Sequence, residues 1–115
     1  MDNKKILVGG FPLNTIDLLK SNVTYEFSVL TSEDVDLVIA DILTKESSVG
    51  DPLDIKVVLL NGFNREEIFS FIQIYKSLGL PKALFAMITT HSINWKLKDL
   101  IYHLIQEEKE LKKIN

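Results

Sequence analysis

The chain has 115 residues, 46% of them hydrophobic and 25% charged, which is the make-up of one ordinary globular domain. Thirteen basic against sixteen acidic side chains leave a net charge of −3. That balance argues against nucleic acid or an anionic membrane as a partner, since both require a positive footprint. There is no cysteine, which excludes a disulfide framework, thiol catalysis and a thiolate metal site.

The first apolar run, Ile6-Leu7-Val8, is too short for a signal-peptide core. No stretch approaches the ~20 apolar residues that cross a bilayer. The expectation is a cytoplasmic protein made of a single α/β domain over residues 1–115. Lys4 to Gly9 reads as a buried strand closed by Gly9-Gly10. A helix follows, with Asn14 as its expected N-cap, Ile16 and Leu19 inward and an end near Asn22. Thr24 to Leu30 alternates, with Tyr25, Phe27 and Val29 on one side and Thr24, Glu26 and Ser28 on the other. That pattern predicts a strand with one wetter face, hence an edge.

Ser32 to Leu43 carries Val35, Val38, Ile39, Ile42 and Leu43 at helical spacing. Ser32 can cap, and Glu33, Asp34 and Asp36 crowd the first turn, where the dipole favours acids. The spacing predicts a helix. The competing reading is a strand, Leu37 to Ala40, ending at Asp41. Lys45 to Leu53 is loop. Lys56 to Leu60 is a fully apolar strand that turns at Asn61-Gly62. Asn64 then caps a helix, with Glu67 completing a capping box and Phe63 and Ile68 placed as a hydrophobic staple. Its core stripe is Ile68, Phe71, Ile72, Tyr75 and Leu78, and Gly79 and Pro81 stop it. Ala83 to Ile88 is a strand apolar on both faces, Thr89 to Asn94 a polar turn, and Trp95 to about Lys112 the last helix.

The βαβαβαβα order predicts a small three-layer α/β/α domain, Rossmann-like or flavodoxin-like. Its four-stranded parallel sheet would have the order 2-1-3-4. In such a sheet every strand-to-helix loop opens at one end. The candidate ligand-binding cluster is therefore Gly9, Gly10, Asn61, Gly62, Thr89, Thr90, His91 and Ser92, with Asn64 and Asn94 beside them. Its donors would be backbone N–H groups and hydroxyls, suited to a small polar ligand. Caps and turns need the same residue types.

No catalytic residue, cofactor or metal is predicted. Gly9-Gly10-Phe11-Pro12-Leu13 is neither a dinucleotide fingerprint nor a phosphate loop, and there is no nucleophile elbow. His91 lies in a loop and His103 on the polar side of the last helix, neither with a metal-spaced partner. Asp34, Asp36 and Asp41 read as helix-start and solvent-face acids, and Trp95 as the anchor of the last helix on the sheet edge. The apolar fourth strand at a sheet edge predicts cover by a symmetric partner or by the chain itself, with a homodimer favoured.

Val58-Leu59-Leu60-Asn61-Gly62-Phe63, then Lys82-Ala83 through Thr89 to Trp95, resembles a bacterial family catalogued as a domain of unknown function. The likeness covers Ile55 to Glu108. Its signature is a strand ending in Gly-Phe, a helix, then K-A-x-x-T-P-x-N-x-x-W and an amphipathic helix. Here the Lys-Ala pair lies two residues further from the threonine, Thr90 replaces the proline and Ser92 the asparagine. The resemblance implies a small α/β domain and no particular activity. Val35-Asp36-Leu37-Val38-Ile39-Ala40-Asp41 is similar to response-regulator receivers. It lacks their acidic pair and lysine, which would make the chain a degenerate receiver without phosphorylation chemistry. The leading expectation is a non-catalytic module that binds a partner protein or small polar ligand through its strand-end loops.

Overall fold

The apolar runs pair into one four-stranded sheet in the order β2-β1-β3-β4, as the sequence predicts. The computed structural model describes residues 4–47 and 49–114. Its elements are β1 (Lys5–Gly9), α1 (Leu13–Asn22), β2 (Glu26–Leu30), α2 (Ile39–Thr44), β3 (Val57–Asn61), α3 (Arg65–Ser77), β4 (Leu84–Met87) and α4 (Leu97–Ile114). Short 3-10 turns at Ser32–Asp34 and Ser92–Asn94 precede α2 and α4.

The sheet has two cores because side chains alternate across it. Ile6 and Val8 of β1, with Val58 and Leu60 of β3, meet Ile16 and Leu19 of α1 and Phe71 and Tyr75 of α3. Leu7, Val57 and Leu59 point the other way, to Ile39 and Ile42 of α2 and Leu97, Leu100 and Ile101 of α4. This is the predicted α/β/α layering.

The expectation of an all-parallel sheet is corrected. β1 pairs with β2 and β3 with β4 in parallel, but β1 and β3 are antiparallel, with Lys5 opposite Asn61 and Gly9 opposite Val57. The cause lies between α2 and β3. After α2 the chain does not enter the sheet. It first makes an extra pass back along the outside of β2. The Ser47 hydroxyl accepts from the Val29 N–H at 2.9 Å, the Asp51 carbonyl accepts from the Ser32 N–H at 2.8 Å, and Thr31 bridges to Pro52. Starting from the far end, β3 runs the opposite way. The same pass meets the free edge of β2 at Val29.

Close backbone approach fixes this return. Gly10 has φ +83°, and a Cβ there would lie 2.1 Å from the Ile55 carbonyl oxygen. Buried charge holds the other end of the pass. Lys5 is 8% exposed, and its ammonium donates to the carbonyls of Leu43 (3.0 Å) and Lys45 (3.4 Å) at the end of α2. Asp34 is 1% exposed and pairs with the Lys45 ammonium at 2.8 Å. It also accepts from the Thr31 N–H, while the Thr31 hydroxyl accepts from the Glu33 N–H, so Thr31 caps the turn. Asp34 is therefore a core acid rather than a solvent-face one.

The single helix expected over Ser32 to Leu43 is replaced by a 3-10 turn, an extended link and a short α2. Tertiary hydrogen bonds win over the helical period. The lead into α4 takes the backbone groups a helix would use: Leu97 N–H donates to Leu37, Lys98 N–H to Val35, and Ile39 N–H to Trp95. Val38 is extended and makes one isolated bridge to Lys96. Asp41 lies in α2 and ends no strand, so the receiver likeness lacks its structural mark. Two smaller corrections follow. Pro12 rather than Asn14 precedes α1, and Ser28, expected on a wet face, is buried.

Gly10→Ala is expected to cost about 1–3 kcal/mol of unfolding free energy. Gly79→Ala, at φ +67° but in open space, should stay at the lower end of that range. Urea titration of the two variants side by side checks this.

Candidate functional site

The reversal of β3 divides the predicted cluster. Gly9 and Gly10 close β1 at one end of the sheet. Asn61, Gly62, Thr89, Thr90, His91 and Ser92 lie at the other, beside Lys5, because β3 and β4 both finish there. The glycines serve the fold: a Cβ on Gly9 would lie 2.5 Å from Leu53, as one on Gly10 would strike Ile55. The chain approaching these glycines closely is the protein's own.

The opposite end does gather polar groups, but turn building uses them. The Thr89 hydroxyl accepts from the N–H groups of His91 (3.2 Å) and Ser92 (3.0 Å). The Ser92 hydroxyl accepts from the Thr89 N–H at 3.0 Å. This reciprocal pair closes the turn that launches α4. Thr90 and His91 are exposed. The His91 ring meets the edge of Trp95 at 5.6 Å between centroids, and Trp95 in turn meets His103 at 5.3 Å. Gly62, at φ +79°, forms the turn after β3.

Asn64 caps α3 as predicted: its side chain accepts from the Glu67 N–H, and Glu67 accepts from the Asn64 N–H. The Glu67 carboxylate also pairs with Lys4. The Asn64 N–H first, and Lys4 second, hold that carboxyl below its ordinary value of 4.5. A cleft of about 490 Å³ lies beside these turns, lined by Lys5, Glu26, Leu43, Thr44, Asn61 and Ile93. Sequence reasoning missed Lys5 and Glu26, which sit 3.4 Å apart across neighbouring strands. The Lys5 charge is committed to the α2 carbonyls, so the cleft has no uncommitted cation from Lys5. Among the described residues no group of acidic or histidine side chains is placed to hold a metal ion.

The second candidate surface is the outer edge of β4, where nothing among the described residues pairs. Leu84 N–H donates to Lys56 and Ile88 N–H to Leu60, so these residues face β3. By the alternation of a parallel pair, the N–H and C=O groups of Phe85 and Met87 face outward. A groove of about 380 Å³ runs beside this edge between β4 and α4, lined by Ala83, Leu84, Phe85, Leu104 and Leu111. Lys82 and Glu108 pair at its rim at 3.1 Å. Trp95 lies just before α4, and His103 and Glu107 follow along it, 2.8 Å apart.

Residues 56–111 match a family described as a domain of unknown function (DUF3783). The match overlies the stretch whose resemblance to such a family the sequence carries, and it includes β3, α3, β4 and α4 as far as Leu111. The matched segment therefore contains the whole open edge, the Thr89–Ser92 turn and the Asn64 cap. It contains neither Gly9 nor Gly10, nor the return pass over β2. No curated protein and no solved structure matches the chain. Among the described residues no helix is long and apolar enough to cross a membrane.

Thr89→Ala and Ser92→Ala should each cost about 1 kcal/mol of stability, as loss of a cap does, while Thr90→Ala stays within about 0.5 kcal/mol. Thermal or urea unfolding distinguishes them. The acid limb of the stability curve tests the α3 cap. Glu67 has a folded pKa below its unfolded one. Its stabilisation is therefore complete above the unfolded value and is lost as pH falls through the folded one. Glu67→Gln should lower stability at neutral pH and flatten its fall under acid.

Proposed function

We propose that this chain is a non-catalytic protein-binding module that takes an extended strand along the open edge of β4. One observation carries the reading: an apolar strand, Leu84-Phe85-Ala86-Met87, sits at a sheet edge with two residues' backbone groups turned outward. Unpaired edge groups are a template for a further strand, and proteins that do not use them guard them with charge, proline or cover. No charge or proline lies within β4. Addition of a strand supplies affinity through the main chain and selectivity through alternate side chains. The groove against α4 offers those side chains Leu104 and Leu111 as a floor.

This reading moves the binding surface away from the strand-end loops. The loops are divided between two ends of the sheet, and the hydroxyls of Thr89 and Ser92 already hold their own turn.

The test is amide hydrogen exchange, with and without a synthetic alternating threonine–valine pentapeptide as a generic strand. Phe85 and Met87 amides should be slow, either in the protein alone or once the peptide is added. Leu84 N–H is already bonded within the sheet and should be unaffected by the peptide. Free exchange of both Phe85 and Met87 in every condition would sink the reading.

A further inference from the structure

Resting on that strand-docking reading, we infer that the strand received by β4 is β4 of a second copy of this chain, related by a two-fold axis. The flanks of the edge select this occupant. A lone peptide would satisfy Phe85 and Met87 but would leave the shoulders on both faces of the sheet in water. Those shoulders are apolar. Leu111 is 65% exposed and lines the groove on the α4 side. Met87, at the end of β4, is 48% exposed. By strand alternation Met87 shares a face with Phe85, which packs with Phe71 and Tyr75 of α3, so the exposed methionine lies on the α3 side.

Covering both shoulders requires a partner with helices on each face of its own sheet edge. A second copy has that build: α3 lies on one face of its β4 and α4 on the other. Two-fold antiparallel pairing also matches the free groups. With Phe85 opposite Met87 of the partner subunit, and the reverse, each outward residue exchanges N–H···O bonds with its counterpart. The contrast between the two edges supports self-pairing. The edge of β2 is met at Val29 by the chain's own return pass, which hinders a strand from adding there, whereas nothing among the described residues pairs outside β4; a two-fold β4 pairing then closes as a dimer rather than a fibre.

Sedimentation equilibrium on the full chain tests this, together with exchange at the Phe85 and Met87 amides. The expected mass is twice 13.1 kDa at about 100 μM, with both amides slowing as the dimer fraction rises. Met87→Lys should give a folded monomer. Leu111→Ser leaves the β4 backbone alone and should weaken the dimer by about tenfold or more. A monomer at about 1 mM would overturn the second copy as occupant. If the threonine–valine peptide then slows the two amides, the strand-docking reading survives without it. A dimer that persists in Met87→Lys would overturn the second copy as occupant, and free exchange of both amides in the native chain, with the peptide present as well as without it, would overturn both.

Discussion

The extra pass between α2 and β3 governs the molecule. Without it, a chain leaving β2 through one helix would enter β3 in the same direction as β1, and the sheet would be parallel. With it, β3 enters from the opposite end. The pass is held at four places. Lys5 and Asp34 fix the chain around Lys45, Ser47 accepts from Val29, Asp51 and Pro52 bond alongside Thr31 and Ser32, and Gly10 lets Ile55 come close. The two buried charges are costly to desolvate and are kept by full pairing. Lys5 lies against the carbonyl end of α2, where a cation is favoured, and Asp34 accepts both from the Thr31 N–H and from Lys45.

Much of this was legible in the residues. The four strands follow from β-branched and leucine runs, the layering from alternation, and the α3 cap from Asn64 and Glu67 three residues apart. Strand direction was not legible. Val57 to Leu60 is apolar on both faces, and such a run reads the same whichever way it lies. The segment Lys45 to Leu53 read as a loop because its work is done by backbone carbonyls and one serine hydroxyl, which leave no periodic mark. The Ser32 to Leu43 stretch misled for a related reason. Its apolar spacing does describe which side chains reach the core, but residues 95–98 compete for its main chain.

The candidate site was less legible than the fold. Thr89, Ser92, Asn64 and Gly62 are residue types that serve both ligands and turns. Only the hydrogen-bond partners separate the two uses, and here the partners lie inside the same turns. Grouping Gly9-Gly10 with them depended on strand direction, so one unseen reversal both changed the sheet and divided the cluster. Lys5 could not be singled out either. At the head of a strand it reads as a solvent residue, and only the arrival of α2 above it makes it a buried cap.

The division of labour between the two halves of the chain follows from the same topology. The DUF3783 match covers one parallel pair, β3 and β4, with its crossover helix. Alone, that unit would leave β3 as a second bare apolar edge. Residues 4–47 and 49–55 supply β1 against β3, add β2 beyond it and then fold back over the rim of β2. Among the described residues the first half thus meets the rim of β2 on one side of the sheet and leaves the outer edge of β4 open on the other. The open edge belongs wholly to the matched segment, and the rim met by the return pass belongs to the part that precedes it.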